Sequence, residues 1–335
     1  MIKKFTELKK FKSNFIGIGL ILLEVILLFL LFSSFPSFVM GGIGGNVTVI
    51  TQLTVGNVAP EVLNVSIDDG AASVTLIANS TKLVSCIALL RDWNNESDIN
   101  TATAEFFDIN ASSYGDTNDN NEHYANSSCN ITLNFSIWKG INDDEYLALA
   151  NCSFSVQYYS NPGTWNCTVF VNDTSNWNNT NSDNITINEL LAVGLPSTIN
   201  YGTVNSTYVS NENMTSVINF GNIMLNLSLS GYAVTEGDNL SMNCTLGSLK
   251  NISIKYEKYN LTVSTPGSLT LSQFEAAYIN LTSAPIVKRF DLNYRQNDTE
   301  NEAFNSTYWR MYVPIGVAGS CSGNIVFGAV KASGS

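Results

Sequence analysis

Beyond residue 42 the chain shows no sustained helical period. Short segments rich in Val, Ile, Thr, Tyr and Phe alternate with clusters of Gly, Pro, Asn, Asp and Ser, the pattern of strands separated by tight turns. Strands are predicted over 62–67, 73–77, 83–90, 101–109, 130–138, 150–158, 164–171 and 183–188. A second set covers 198–204, 215–220, 224–230, 239–244, 251–256, 288–294, 308–313 and 324–331, with one short helix near 272–277. The run Leu191-Ala-Val-Gly-Leu-Pro196 separates the two sets. The expected fold is all-β, with two tandem β-sandwiches at 58–192 and 193–335.

Residues 1–42 are patterned differently. Lys3, Lys4, Lys9, Lys10 and Lys12 precede an 18-residue apolar run, Phe15 to Phe32, broken only by Glu24. Pro36 and small residues follow, and Val39 and Gly41 suit the −3 and −1 positions of a cleaved secretory signal. The run also reaches the length of a minimal bilayer span, so an uncleaved anchor helix with its lysines inside is the second option. Thirdly, Gly19-Leu-Ile-Leu-Leu-Glu24 resembles a type IV pilin junction, although Phe-Ile-Gly-Ile rather than charged residues precede the glycine. All three options export the rest of the chain to the cell surface or beyond it. Only an uncleaved segment would make the membrane a partner.

Composition supports an external setting. Of 335 residues only 13% are charged, whereas 43 Asn, 37 Ser and 27 Thr make up about a third. A net charge of −12 with 16 Lys and Arg excludes nucleic acid as a partner. The single histidine, His123, argues against His-dependent catalysis and multi-His metal sites. Asn-x-Ser/Thr occurs 23 times, against about 8 expected from composition alone, so a glycosylated surface is expected. Acceptor candidates are Asn64, Asn79, Asn110, Asn172, Asn205, Asn226, Asn260, Asn280 and Asn305. Alternating Asn, Thr and Ser on a solvent-facing strand would also write this motif without any sugar. Six cysteines outside the leader, with no CxxC spacing, point to disulfides.

Two resemblances refine the fold. Gly163-Thr-Trp-Asn-Cys-Thr-Val-Phe-Val resembles the F strand of an immunoglobulin-like sandwich, with Trp165 two residues before Cys167. Trp93 follows Cys86 by only seven residues, and the cysteines stand 81 apart, so the likeness is one of architecture. It implies a Cys86–Cys167 bridge across the core and Cys129–Cys152 between neighbouring strands, although four cysteines allow three pairings. Cys244 and Cys321 are left for the second half. There, Ile199-Asn-Tyr-Gly-Thr-Val204 and Val217-Ile-Asn-Phe-Gly221-Asn222 lead into Leu225, Leu227, Leu229 and Gly231. This stretch resembles the camelysin/TasA-like fibre proteins and archaeal bundling pilins. Gly221-Asn222 would turn a hairpin, and the three leucines would line one face.

Candidate chemistry is sparse. Asp116, Asn118, Asn120 and Glu122 place oxygen ligands at alternate positions, as calcium loops do, and Asp92-Trp-Asn-Asn-Glu-Ser-Asp98 repeats that spacing. Loops of this kind are more usually solvated sandwich ends built from Asx turns, and both segments fit that reading too. Calcium is the one cofactor this pattern suggests. No Gly-x-Ser-x-Gly elbow, P-loop or HExxH is present, so an enzyme is not expected and a secreted hydrolase ranks last. Trp138 and Trp177 look exposed, which admits a glycan-binding module as an alternative, although core or edge packing is the more usual fate of such residues. The Gly-rich leash before Asn46 leads into a strand at 46–55, within a 43–57 linker. Val47, Val49, Thr51, Leu53 and Val55 would share a face there, open to donation into another subunit or to pairing in the strand's own domain. The expected role is a structural or adhesive surface protein, a filament or coat subunit whose partners are itself or other surface proteins.

Overall fold

A computed structural model describes residues 48–332. The signal or anchor segment, Glu24 and Val47 lie outside the described residues. No helix among the described residues is long and apolar enough to cross a membrane. The chain is all-β, as its short alternating segments predict, with one α-helix among the described residues, α1, at Leu271–Ala277. Thr270 and Gln273 close a reciprocal capping box at its start.

The first half stacks two sheets. One has the order β1(Glu61–Ile67), β3(Thr81–Arg91), β9(Leu147–Gln157), β6(Asn130–Leu133). The other runs β2(Ser73–Val74), β11(Asn178–Ile187), β10(Gly163–Asp173), β4(Ile99–Asp108), β5(His123–Asn126). Inward residues of β10 alternate strictly: Trp165, Cys167, Val169 and Val171 are all buried. Trp165 packs its ring 4.9 Å from Phe106 and donates its indole N–H to Asn161 O at 2.8 Å. Cys86 on β3 is bridged to Cys167 on β10, joining the two sheets through the core. Cys129, just before β6, is bridged to Cys152 on β9.

The second half holds β12(Val193–Gly194), β13(Asn213–Asn219), β20(Phe304–Met311), β17(Glu257–Asn260) and β18(Ile279–Asn280) in one sheet. Across its core lies a sheet of β19(Ile286–Leu292), β14(Leu225–Tyr232) and β22(Asn324–Lys331). A third, smaller sheet contains β16(Asn251–Ser253), β15(Leu240–Gly247) and β21(Val317–Ser322), where Cys244 and Cys321 are bridged as cross-strand neighbours. Leu225, Leu227 and Leu229 are buried on one face of β14.

Two details differ from what the sequence predicts here. Gly221-Asn222 turns no hairpin, because β13 and β14 pair with other strands and belong to different sheets. Residues 198–204 form no strand, because Gly202 adopts φ +69° and its N–H is captured by the Asn200 side chain. Trp138, on a short hairpin of β7(Ile137–Trp138) and β8(Ile141–Asn142), takes the core fate expected of it, packed with Leu89, Phe135 and Leu147 in a satellite cluster.

From Asn57 onward the chain forms one compact unit, so the halves share an interface. Its contacts are polar and aromatic. Tyr159 donates its hydroxyl to Asp298 at 2.8 Å, with Arg295 4.5 Å above its ring. Asn121 donates to the carbonyls of Tyr159 and Arg295, and Tyr158 meets Phe220 edge-on.

Candidate cation centre

Two turns and one incoming segment meet at an end of the first sandwich. Past Arg91, the backbone turns at Asp92, whose Oδ1 accepts the Asn94 N–H at 2.8 Å. Asn95 then caps a short 3-10 turn, Glu96–Asp98, by accepting the Ser97 N–H. At the end of β10, Asp173 Oδ1 accepts the N–H groups of Ser175 and Trp177, closing the hairpin to β11. The two turns are tied together, since Thr174 N–H donates to Asp98 O at 2.9 Å and the Thr174 hydroxyl to the Asp98 carboxylate. The chain joins the sandwich at this same place. Asn57 donates its side-chain amide to Asp173 Oδ2 at 2.7 Å, and Val58 N–H donates to Asn94 Oδ1 at 2.7 Å.

One carboxylate oxygen from each of Asp92, Asp98 and Asp173 lies within 4.8 Å of the others. Asp92 and Asp173 are fully buried, and Asp98 is half-buried. Asp92 Oδ2 is buried with no hydrogen-bond partner among the described residues. Burial raises the Asp92 pKa from its ordinary value; the Asn94 amide opposes this, and the charges of Asp98 and Asp173 add to it. Two unit charges at such a separation repel by about 3 kcal/mol at an effective dielectric near 20. Among the described residues, no Lys or Arg forms an ion pair with the three acids, the nearby Arg91 being paired with Glu61. The donor set is all oxygen, suited to a hard divalent cation.

Two of the three acids, Asp92 and Asp98, are visible in the alternate spacing of 92–98. Glu96 does not join the acidic group, and its Oε2 accepts the Asn134 N–H. Asp173 escapes any local pattern, although one signal exists. Asp92 stands six residues beyond Cys86, and Asp173 six residues beyond Cys167. Equal offsets from a cross-core disulfide carry two strands the same distance to the same end.

The other sequence-predicted loop, 116–122, makes contacts of its own. Asp116 accepts from the Ser112 hydroxyl and the Ser113 N–H, whereas the Asn120 amide donates to Asp298 of the second half. Asn118 is exposed and Glu122 half-buried; burial, then Asp119, Asp108 and Asp116, raise the Glu122 pKa. Of the four, Asp116 holds a turn and Asn120 an inter-half contact, and the acidic group of Asp92, Asp98 and Asp173 forms elsewhere. His123 is a core residue, stacked on Phe107 and bonded to the Ser112 hydroxyl at 2.9 Å.

Among the acceptor candidates, Asn64, Asn79, Asn110, Asn205, Asn280 and Asn305 are exposed, while Asn172, Asn226 and Asn260 are half-buried. The amide oxygen of Asn226 accepts the N–H groups of Phe290 and Asp291, which ties that side chain to the structure. Val49, Leu53 and Val55 are 72%, 88% and 74% exposed, Thr51 is exposed, and residues 48–59 carry no strand.

A groove of about 890 Å³ runs between residues 195–204 and β21–β22, with Glu257 in its lining. Glu257 Oε1 accepts the Tyr201 hydroxyl at 2.9 Å, while buried Oε2 has no partner among the described residues. Burial pushes this carboxyl up to about 8 against the opposing Tyr201 bond.

No protein-family model matches the chain, and no curated protein matches its sequence. Among solved structures, it is similar to a chain from a chaperone–tip adhesin complex of CFA/I fimbriae biogenesis, at 11% identity and TM-score 0.29, over 81% of this chain and 85% of that one. The C-terminal domain of the Streptococcus agalactiae AgI/II polypeptide BspA aligns at 12% identity and TM-score 0.22, over 81% and 97%. The native Escherichia coli alpha-2-macroglobulin aligns at 8% identity and TM-score 0.25, over 81% and 17%. Likeness at this level carries no information about activity.

Proposed function

We propose that the protein is an exported, glycosylated component of a cell envelope, with a structural or adhesive role, and that copies join by donating the segment around residues 48–55. The carrying observation is the exposure of Val49, Ile50, Leu53 and Val55 in a β-prone segment that pairs with no strand among the described residues. Such a segment gains backbone hydrogen bonds and apolar burial by adding to the open edge of another sheet. Three disulfides with no free cysteine, and exposed acceptor asparagines, support an oxidising, external setting. A glycan-binding role ranks second, because of the two suggested stacking aromatics only Trp177 is exposed.

Electron microscopy of the purified protein and of a 43–56 deletion tests the proposal. The intact protein is expected to form filaments or end-to-end oligomers. The deletion variant is expected to remain monomeric with an unchanged melting temperature. Assemblies that persist in the deletion variant, or an intact protein that stays monomeric, would overturn strand donation.

A further inference from the structure

A buried carboxylate oxygen with no hydrogen-bond donor calls for a proton or a cation. Asp92 Oδ2 is such an oxygen, on a fully buried residue whose carboxylate belongs to a group with Asp98 and Asp173. We infer that these three acids bind a calcium ion, which clamps residues 57–58 to the loop end of the first sandwich.

The geometry favours calcium over other cations. Calcium takes six to eight oxygens at about 2.3–2.6 Å, so oxygens on opposite sides of it stand roughly 4.8 Å apart. The three carboxylate oxygens fall within that span. Magnesium demands a tighter octahedron, at about 2.0–2.1 Å, and keeps several waters, which suits two fully buried carboxylates poorly. No His or Cys belongs to the group, so zinc and copper lack their preferred donors. Neutral oxygens on the same loops could complete the shell, among them the Thr174 hydroxyl bonded to Asp98 and the Asn94 amide oxygen.

The location gives the ion its consequence. Asn57 is held by Asp173, and Val58 by Asn94, on the two loops that supply the acids. Without a cation, three like charges push these loops apart and loosen the anchorage of residues 57–58. With calcium bound, one ion fixes the β3–β4 loop, the β10–β11 turn and residues 57–58 together. The inference stands whether or not strand donation does.

The test uses the full chain, stripped with EGTA and then given calcium or magnesium. Calcium at a hundredfold excess over its Kd is expected to raise Tm by on the order of 5 °C, with magnesium far less effective. Terbium is expected to luminesce at the site, sensitised by Trp93 beside Asp92 and by Trp177, whose backbone N–H donates to Asp173, and to be displaced by calcium. Asp92→Asn is expected to abolish both responses yet to melt above wild type in EGTA, because one of three repelling charges is gone. Asp116→Asn with Glu122→Gln is expected to retain both responses. Three results would overturn the inference: wild-type melting indifferent to calcium; Asp92→Asn stabilising equally with and without calcium, the mark of a proton held there instead; or a calcium response that survives Asp92→Asn and Asp173→Asn.

Discussion

Asn222 donates its side-chain amide to the carbonyl of Ser160 at 2.9 Å, joining the two halves through a fully buried residue. The same amide reaches Asn188 O at 3.1 Å, and its oxygen accepts the Leu190 N–H at 2.7 Å. Next to it, Gly221 lies so close to the linker that a Cβ there would meet Leu190 O at 2.1 Å. Linker and second half therefore pack backbone against backbone, which leaves no room for an ordinary side chain.

Asn222→Ala removes all three bonds and leaves the buried Ser160 carbonyl, the Asn188 carbonyl and the Leu190 N–H of the first half and linker without this partner. The expected cost is about 2–4 kcal/mol, since an unsatisfied buried group loses its solvation without compensation. Urea unfolding measures it, and limited proteolysis is expected to cut faster within 188–195. An unchanged midpoint would show that the halves do not depend on this residue.

Arg310 performs a similar task inside the second half. Its buried guanidinium donates to Ser210 O and Thr265 O, both at 2.6 Å, to Gly267 O at 2.9 Å and to the Tyr278 hydroxyl at 3.1 Å. Arg310→Lys keeps the charge and loses the planar fork, so it cannot reach all four acceptors. A loss of about 3 kcal/mol is expected in thermal or denaturant unfolding, because a buried charge is left partly unpaired.

What the sequence makes legible follows from how local each cause is. Leu225, Leu227 and Leu229 announce a one-faced strand because strand periodicity is a property of neighbouring residues, and all three are buried. The capped helix at Leu271–Ala277 is equally local. Residues 198–204 have strand-like composition, and the left-handed Gly202 overrides it. Asn222 and Asp173 are opaque for another reason. Each takes its role from partners on distant segments, and only the assembled fold brings these together. Trp138 carries no local mark that separates a satellite core from an exposed platform.

The Cys86–Cys167 bridge closes an interval of 81 residues between the two sheets of the first half. In the chain-entropy account, closing so long a loop restricts the unfolded state by about 4–5 kcal/mol. The double variant Cys86→Ala and Cys167→Ala is expected to lose stability on that scale. The loss should exceed that from removing Cys129–Cys152, whose separation is 23 residues. Denaturant unfolding of the two variants side by side checks the order; the reverse order would mean that native packing, rather than loop closure, sets the contribution.

Glu257 supplies a pH dependence whose sign can be stated in advance. Burial pushes its folded-state carboxyl up to about 8 from the ordinary 4.5, so the native state holds a proton that the unfolded chain releases earlier. The associated stability is fully present below about pH 4.5 and is lost as pH rises towards 8, by a few kcal/mol at most. Asp238 is shifted the other way, to about 2, by backbone N–H groups led by that of Val234, and its contribution is lost only in strong acid. Glu257→Gln keeps an oxygen for the Tyr201 hydroxyl and cannot ionise. Between pH 5 and 8 the wild type is therefore expected to lose stability while the variant stays nearly level, so that the variant is the more stable protein at pH 8. Thermal unfolding across that range, read as the difference between the two curves, cancels every other titrating group. A difference that stays flat would mean that the groove beside Tyr201 solvates the carboxylate once it ionises, and that Glu257 is not held neutral.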